Sequence, residues 1–266
     1  MNFLRTILDQ KRKEVSGHRA AVPVAELQRS EFYDIYPHSL SAALRGHSMA
    51  VIAEIKKSSP SKNVIRKDFD PLAIALECVS GGASALSILT DSRFFQGDIE
   101  FLARIRPHVS IPLLRKDFII DEYQIYEAKA AGADAVLLIL AALERARFLA
   151  LKHLADKLGF EALIEVHCKE ELAILGDEPV ALIGINNRDL ATFETDLSTT
   201  ARILDAVPPG ATIVSESGIN SPKDLVELAR CGIHAVLIGE ALMRAPSPGQ
   251  ALRELLAPMK GETWSG

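Results

Sequence analysis

The sequence is poor in cysteine and in aromatic residues, and the shortage of cysteine already narrows the class of protein. Three cysteines occur among 266 residues, and no two of them are spaced as Cys-x-x-Cys. An odd number of scattered cysteines argues against a disulfide framework and against a zinc site. It suits a reducing compartment, so we expect a cytoplasmic protein.

Long apolar runs and an excess of positive charge are also missing. The longest strongly apolar run covers residues 135–143, whereas a membrane-spanning helix needs about 20 residues. The first 15 residues contain no signal-peptide core. The formal net charge is −5, unlike that of a typical nucleic-acid-binding protein. We expect neither a membrane nor nucleic acid as a partner, although a local cationic pocket would still admit a small anionic substrate.

Common signatures of metal and nucleophile chemistry do not occur either. The seven histidines show no His-x-His or His-Glu-x-x-His spacing, and the sequence has no Gly-x-Ser-x-Gly element. We therefore predict no metal site, no cofactor and no serine nucleophile, which leaves acid–base chemistry by lysine and glutamate. His167 is the histidine nearest to a predicted strand end, and we expect it to point away from the barrel axis.

From about residue 49 onwards the sequence alternates between short apolar runs and amphipathic helical stretches. Eight runs rich in Val, Ile, Leu and Ala are typical of parallel strands buried on both faces. They cover residues 51–55, 85–89, 111–114, 135–140, 162–166, 181–185, 212–214 and 235–238. Between them, Asp70 and Pro71 begin one helix that Gly81 can close, and residues 143–158 predict the longest helix of the repeat.

Eight strand–helix units predict a single (β/α)8 barrel, a TIM barrel, over residues 49–257. An open doubly wound sheet is the structural alternative, but no glycine-rich dinucleotide fingerprint follows the first strand. Residues 1–48 lie outside the repeat and predict an N-terminal helical extension of the same domain, with helices at 4–15 and 40–44. The extension could plug the bottom of the barrel or lie over its mouth. Residues 258–266 are interpreted as a C-terminal tail.

Charged side chains gather where the predicted strands end, which is where barrels of this type place their active site. Glu54 and Lys56 have the same parity on the first strand, so both can face the barrel axis. Glu165 lies within an apolar run, where an unpaired carboxylate would be costly to bury. Its available cationic partners are Lys56, Lys116 and Arg188. These groups indicate acid–base chemistry on an anionic small molecule.

A phosphate site is predicted at the ends of the last two strands. Ser217 and Gly218 follow the seventh strand, and barrels often bind phosphate there. Gly239 follows the eighth strand, and a short helix starting at Glu240 would direct its N-terminus at an anion. Ser59, after the first strand, can add a hydroxyl donor.

Other residues at the same rim are open to two interpretations. We expect Asp91, Asp117 and Asp189 to hold loops or to orient a neighbouring lysine or arginine. Phe95 and Phe118 could be core residues, or they could form a wall around an aromatic ligand.

Four segments carry a more specific pattern, at residues 53–61, 112–118, 184–190 and 215–219. Together they strongly resemble the indole-3-glycerol phosphate synthase family, and the resemblance extends from about residue 4 to residue 256. It implies a cofactor-independent (β/α)8 enzyme of tryptophan biosynthesis. The substrate would be 1-(2-carboxyphenylamino)-1-deoxyribulose 5-phosphate, and the products would be indole-3-glycerol phosphate, carbon dioxide and water.

The resemblance implies catalytic roles for four charged residues. Lys116 would be the general acid that protonates the substrate ketone during ring closure, and Glu165 would be the general base of the later dehydration. Glu54 and Lys56 would be catalytic partners, and Lys56 would also suit the substrate carboxylate or proton donation in the dehydration. Decarboxylation would need no metal, because the iminium nitrogen of the cyclised intermediate accepts the electron pair.

Binding roles follow from the same resemblance. Asn186 and Arg188 would orient the reacting chain, while Glu216 would lie close to the substrate hydroxyls, beside Ser217. The phosphate-side positions would be Ser59, Ser217, Gly218, Gly239 and Glu240, and the wall around the anthranilate ring would be Phe95 and Phe118. At Asn63 the chain departs from the glycine of many relatives. Asparagine tolerates left-handed backbone angles, so we expect the loop to be retained.

Two other functions compete with this one. A phosphate-binding barrel like phosphoribosylanthranilate isomerase would use an aspartate and a cysteine as its acid–base pair, but no cysteine lies at the end of the first strand. A non-catalytic barrel that binds a sugar phosphate would be expected to lack Lys116 or Glu165, and both are present. We therefore expect an enzyme for a small anionic sugar phosphate. The sequence leaves open whether other enzymes of the tryptophan pathway bind the chain.

Overall fold

Eight parallel strands pair in chain order and close into a barrel. The computed structural model describes residues 3–60, 62–189, 192–233 and 235–259. The strands are β1 (Ala50–Ile55), β2 (Ala85–Leu89), β3 (Leu113–Lys116), β4 (Ala135–Ile139), β5 (Glu161–Val166), β6 (Leu182–Asn186), β7 (Thr212–Glu216) and β8 (Ala235–Ile238). The first and last strands pair directly, with Ala50 opposite Ala235. The predicted barrel is confirmed, and the open sheet is wrong.

Helices cover the outside of the barrel and both of its ends. They are α1 (Phe3–Ala21), α2 (Val24–Leu27), α3 (Leu40–Leu44), α4 (Pro71–Gly81), α5 (Ser92–Phe95), α6 (Glu100–Ile105), α7 (Glu122–Ala130), α8 (Arg145–Lys157), α9 (Ser198–Leu204), α10 (Pro222–Arg230), α11 (Glu240–Arg244) and α12 (Pro248–Leu256). Short 3-10 segments occur at Arg106–His108, Leu140–Ala142, Lys169–Ile174 and Ala257–Met259. Among the described residues, no helix is both long enough and apolar enough to cross a membrane. Of the predicted C-terminal tail, residues 260–266 lie outside the described ranges.

The third strand begins later than predicted. Residues 111–114 are the predicted strand, but β3 starts after Pro112 and continues to Lys116. Proline has no N–H to donate to a sheet, so Pro112 precedes the strand, and its carbonyl accepts a hydrogen bond from the N–H of Leu86. The shift places Lys116 on the strand itself rather than in the loop that follows.

The helix after β1 begins as predicted but ends one residue later. Asp70 caps α4 and Pro71 occupies its first turn. Gly81 stays within the helix, and Gly82 ends it with a left-handed φ of +103°. Gly81 is glycine for another reason. A Cβ atom there would lie 2.6 Å from the carbonyl oxygen of Gly249 in α12, so the two helices can approach only without it.

Two predicted helical stretches are shorter or tighter than expected. The helix predicted at 143–158 is α8, because residues 140–142 form a 3-10 turn and the next two residues are extended. Between β5 and β6, Lys169–Ile174 form 3-10 turns instead of an α-helix. Neither difference changes the order of the eight units around the barrel.

The barrel interior is layered, because alternate residues of each strand point inward. One layer belongs to the apolar interior cluster and consists of Ile52, Leu114, Leu163 and Val214, all from odd-numbered strands. Two residues further along the same strands stand Glu54, Lys116, Glu165 and Glu216. We refer to these four as the charged layer. It lies at the carboxyl ends of the strands, directly above the apolar layer.

The N-terminal extension closes both ends of the barrel, so both of the positions left open by the sequence are occupied. At the amino ends of the strands, Leu40 and Leu44 of α3 enter the interior cluster. Ser41 of the same helix donates its N–H and its hydroxyl to the carboxylate of Glu161, at 2.8 Å and 2.5 Å. At the opposite end, Ile7 of α1 lines the mouth.

Candidate active site

A cavity of about 600 Å³ opens at the carboxyl ends of the strands. The charged layer forms its floor, and the loops after the strands form its walls, with α1 along one side. Its lining includes every candidate site residue predicted from the sequence, namely Glu54, Lys56, Ser59, Phe95, Lys116, Phe118, Glu165, Asn186, Arg188, Glu216, Ser217, Gly218, Gly239 and Glu240. The structure therefore brings all of these residues together at one place.

Lys116 is held between two carboxylates on the floor of the cavity. Its Nζ donates to Glu165 Oε2 at 2.5 Å and to Glu216 Oε2 at 2.8 Å. Burial alone would lower the pKa of Lys116, but Glu165 and Glu216 outweigh burial and raise that pKa above its ordinary value. The side chain is therefore an ammonium ion at neutral pH, on the floor of the site.

The two carboxylates that share Lys116 have opposite protonation behaviour. Burial works against ionisation of Glu165, but Lys116 and the nearby His167 lower the pKa of Glu165 below its ordinary value. For Glu216, burial and the charge of Glu165 outweigh Lys116 and raise its pKa to about 7. Environments that separate the pKa values of two neighbouring acids are typical of sites that use one as a base.

A glycine on β6 and a glycine directly after β8 leave space for two carboxylates of the charged layer. A Cβ atom at Gly184 on β6 would overlap the carboxylate of Glu216. A Cβ atom at Gly239, directly after β8, would overlap the carboxylate of Glu54. The two carboxylates can therefore hold their present positions because residues 184 and 239 have no side chain.

Glu54 and Lys56 form a second ion pair beside the first. The Lys56 ammonium donates to Glu54 Oε1, and the Glu54 side chain is almost completely buried. Lys56 follows the last residue of β1 and lines the cavity, and its side chain is slightly more exposed than that of Lys116. The described part of the chain has no group of three His, Cys, Asp or Glu side chains placed to hold a metal ion.

The polar rim above β6 and β8 is interconnected. The side-chain oxygen of Asn186 accepts a hydrogen bond from the N–H of Arg188 at 3.0 Å. The Arg188 guanidinium lies 3.4 Å from Glu240 Oε2, and Oε1 of Glu240 accepts from Arg244 at 2.9 Å. Because the Glu240 carboxylate is engaged by two arginines, only its backbone N–H is suited to an anionic ligand.

The backbone after β7 has an uncommon conformation. Ser217 and Gly218 both have positive φ angles, +68° and +84°. For serine such an angle is unusual. Turns of this kind can direct consecutive backbone N–H groups toward an anion. A Cβ atom at Gly218 would lie 2.6 Å from the Thr195 side chain, so this position requires glycine.

In the loop after β1, Asn63 takes a left-handed φ of +54°, as expected for the residue that replaces glycine there.

Two phenylalanines form an aromatic wall on the opposite side. The ring centroids of Phe95 and Phe118 lie 6.2 Å apart, with their planes tilted by 37°. Both line the cavity. The neighbouring Phe94 instead packs edge-to-face against Phe3 of α1, with ring centroids 5.7 Å apart. The cavity is therefore apolar and aromatic on one side and rich in glycine and hydroxyl groups on the other.

A sequence profile of the family described as indole-3-glycerol phosphate synthase matches residues 4–255. The chain belongs to the indole-3-glycerol phosphate synthase family. Two relatives with this name are similar over nearly their whole length. The one from Salinibacter ruber is 48% identical over 262 residues, which are 98% of this chain and 97% of the relative. The one from Alkaliphilus metalliredigens is 47% identical over 254 residues, which are 95% of this chain and 97% of the relative.

Two solved structures with a similar barrel are more distant from this synthase-family chain in sequence. A 3-hexulose-6-phosphate synthase from Salmonella typhimurium has a TM-score of 0.57 at 16% identity, over 79% of this chain and 100% of that one. A tryptophan synthase subunit alpha from Legionella pneumophila has a TM-score of 0.59 at 14% identity, over 80% of this chain and 94% of that one. At such identities the likeness supports the fold alone.

The three rim aspartates hold loops, as expected. Each accepts a hydrogen bond from a backbone N–H of its own loop: Asp91 from Phe94, Asp117 from Phe118 and Asp189 from Thr192. Asp91 and Asp117 also contact a lysine that the sequence interpretation missed, Lys11 of α1. Lys11 lies on the apolar stripe of the amphipathic helix α1. A lysine at such a position indicates carboxylate partners, because a buried ammonium needs them.

The expected orientation of His167 is wrong. Its Nε2 lies 3.3 Å from Glu165 Oε1, and its Nδ1 lies 3.6 Å from Glu171 Oε2. Residues 165 and 167 have the same parity, so the pleat that directs Glu165 inward does the same for His167. Burial lowers the pKa of His167, but Glu171 and Glu165 outweigh burial and raise the pKa above its ordinary value. The His167 ring therefore stabilises the ionised form of Glu165.

Proposed function

We propose that the chain converts 1-(2-carboxyphenylamino)-1-deoxyribulose 5-phosphate into indole-3-glycerol phosphate, carbon dioxide and water, and that it is therefore a carboxy-lyase. The observation that carries the proposal is the buried ammonium of Lys116 between Glu165 and Glu216. A protonated acid and an ionised base lie side by side at the floor of a cavity that has an aromatic side and a glycine-rich side.

The cavity is suited to a substrate with an anion at each end. The aromatic ring is placed against Phe95 and Phe118, and its carboxylate meets the ammonium of Lys56. The phosphate lies at the other end, where the backbone N–H groups of Gly218 and Glu240 and the hydroxyl of Ser59 would donate to it. A volume of about 600 Å³ is in the usual range for sites that enclose a small molecule.

Ring closure is an attack of the ring carbon that carries the carboxylate on the ketone carbon of the sugar chain. As the new carbon–carbon bond forms, the ketone oxygen becomes an alkoxide, and Lys116 supplies a proton to it. A raised pKa is compatible with this role, because a developing alkoxide is more basic than an amine. The ring nitrogen becomes an iminium, and the carbon–carboxylate bond then breaks, with its electron pair returning to that nitrogen.

Dehydration completes the indole ring. Glu165 removes a proton from the carbon next to nitrogen, and the hydroxyl on the adjacent carbon leaves as water with a proton from Lys116 or Lys56. The lowered pKa of Glu165 keeps it ionised and ready to act as a base. Glu54 holds Lys56 in place through their ion pair.

The remaining polar residues orient the sugar chain. Glu216, whose raised pKa leaves it partly protonated near neutral pH, can both accept from and donate to a substrate hydroxyl. Asn186, Arg188 and Ser217 complete this polar side of the cavity. We place the reaction in the cytoplasm, because the three cysteines are unpaired and a reducing compartment suits them.

An assay for indole fluorescence tests the proposal directly. The purified full-length chain is supplied with the carboxyphenylamino-deoxyribulose phosphate, and both indole formation and carbon dioxide release are followed. We expect both products in equal amounts. Failure to form either one would overturn the proposal, and isomerisation of phosphoribosylanthranilate, supplied in a parallel assay, would then assign the barrel to the competing reaction. Binding of substrate without turnover would indicate a sugar-phosphate-binding protein.

A further inference from the structure

Lys11 is a cation buried between α1 and the barrel. Its Nζ lies 2.8 Å from Asp91 Oδ2 and 2.9 Å from Asp117 Oδ1, and Glu14 Oε2 of the same helix is also 2.9 Å away. Only 5% of the side chain is exposed. Burial opposes the charge, but Asp117 and Asp91 outweigh burial and raise the pKa of Lys11 above its ordinary value. The ammonium therefore stays charged, and its ion pairs connect α1 with the loop after β2 and the loop after β3.

Each aspartate that Lys11 contacts also fixes the backbone beside one ring of the aromatic wall. Asp91 accepts from the N–H of Phe94 at 2.7 Å and so caps α5, whose last residue is Phe95. Asp117 accepts from the N–H of Phe118 at 2.8 Å. Arg115 also pairs with Asp117, at 3.2 Å, but Lys11 contacts both aspartates and so offsets the repulsion between their like charges.

The same helix also lines the cavity. Phe3, Leu4 and Ile7 of α1 contribute to the mouth, and Lys11 lies one turn beyond Ile7 on the buried stripe. Lys11 itself does not line the cavity. It thus fixes the position of residues that do, and it does so from outside the space where substrate would bind.

We propose that Lys11 is a positioning residue that holds α1, the loop after β2 and the loop after β3 together, and thereby sets the separation of Phe95 and Phe118 that receives the aromatic ring of the substrate. We call the group of Lys11, Asp91 and Asp117 the Lys11 clasp. Its effect on catalysis rests on the proposed function, because only an aromatic substrate would need this wall.

Hydrogen exchange of the intact protein tests the clasp without any substrate. In Lys11→Met the backbone N–H groups of Phe94 and Phe118 should exchange at least about tenfold faster than in the native protein, because both acceptors lose the ammonium that connects them to α1. Lys13→Met, an exposed lysine of the same helix, is the matched control and should exchange like the native protein. Unchanged exchange at both amides in Lys11→Met would overturn the proposal, even if the native chain had no synthase activity.

Steady-state kinetics separate positioning from simple stabilisation. Lys11→Met leaves Asp91 Oδ2 buried without its cation, so the double variant Lys11→Met/Asp91→Asn is included. Asparagine removes the unpaired charge and keeps an oxygen that can cap α5. We expect the double variant to regain most of the native Tm, while KM stays raised by about tenfold and kcat changes less than KM. A KM that returns to the native value together with Tm would overturn the proposal, because Lys11 would then be only a stabilising residue.

Discussion

Gly184 on β6 lies directly against the carboxylate of Glu216 on β7. A Cβ atom at residue 184 would overlap Oε1 of Glu216, and this buried oxygen has no hydrogen-bond partner among the described residues. The other oxygen of the same carboxylate accepts from Lys116. The absence of a side chain at residue 184 therefore affects the position of the Glu216 carboxylate, and through that carboxylate it affects Lys116.

Gly184→Ala tests this relationship. The added methyl group should push Glu216 away from Lys116, so we expect a large fall in kcat together with about 1–3 kcal/mol of lost stability, the usual cost of overpacking. Activity and urea unfolding are measured on the same preparation. Gly17→Ala in α1 is the control, because a Cβ atom there meets nothing within 4 Å. Native kcat in Gly184→Ala would show that Glu216 does not depend on this space.

Lys116→Met should reduce turnover by about 10²–10⁴-fold, the usual contribution of a positioned general acid. The barrel should still fold, although two buried carboxylates lose their shared cation, which costs about 3–5 kcal/mol for a broken buried pair. This penalty should shrink as the pH falls, because unpaired carboxylates can take up protons. Urea unfolding at about pH 8 and about pH 5 measures it, with the exposed Lys157→Met as control. Turnover close to native would rule Lys116 out as the acid.

Glu165→Gln should impair dehydration more than ring closure. Glutamine can still accept the hydrogen bond from Lys116 but cannot remove a proton, so the early steps keep their acid while the last step loses its base. Single-turnover experiments with rapid quenching should detect a decarboxylated product that still carries its hydroxyl. Glu144→Gln, at an exposed position, should behave like the native chain. If ring closure itself were slowed and no such product accumulated, Glu165 would have an earlier role.

His167 should make stability depend on pH. Its pKa is raised in the folded protein, so its stabilising contribution is complete below the ordinary histidine pKa and is lost as the pH rises through the folded value. The difference in unfolding free energy between native and His167→Gln should therefore be larger at about pH 5.5 than at about pH 8.5. His108→Gln, at an exposed position, is the control. A difference that is independent of pH would mean that the ring acts only by packing.

The barrel and most of the candidate site could be predicted from sequence because their signals are local. Eight apolar runs predict eight strands, and the segment around Lys116 is specific enough to indicate the family. The Lys11 clasp could not be predicted in this way, because Asp91 and Asp117 meet Lys11 only after α1 folds back over the mouth. The orientation of His167 could have been predicted from its position along the chain. It shares the parity of Glu165, and its ring contacts that carboxylate although β5 ends at Val166.

The extension that closes both ends of the barrel also affects when the interior cluster can form during translation. Leu40 and Leu44 leave the ribosome before any strand does, yet the cluster they join includes Leu237 of β8, close to the end of the chain. Their partners are therefore incomplete until β8 has been translated. A helix made before the strands is thus among the last parts of the interior to be covered, so a nascent chain of this fold exposes apolar surface at the amino ends of its strands until the barrel can close.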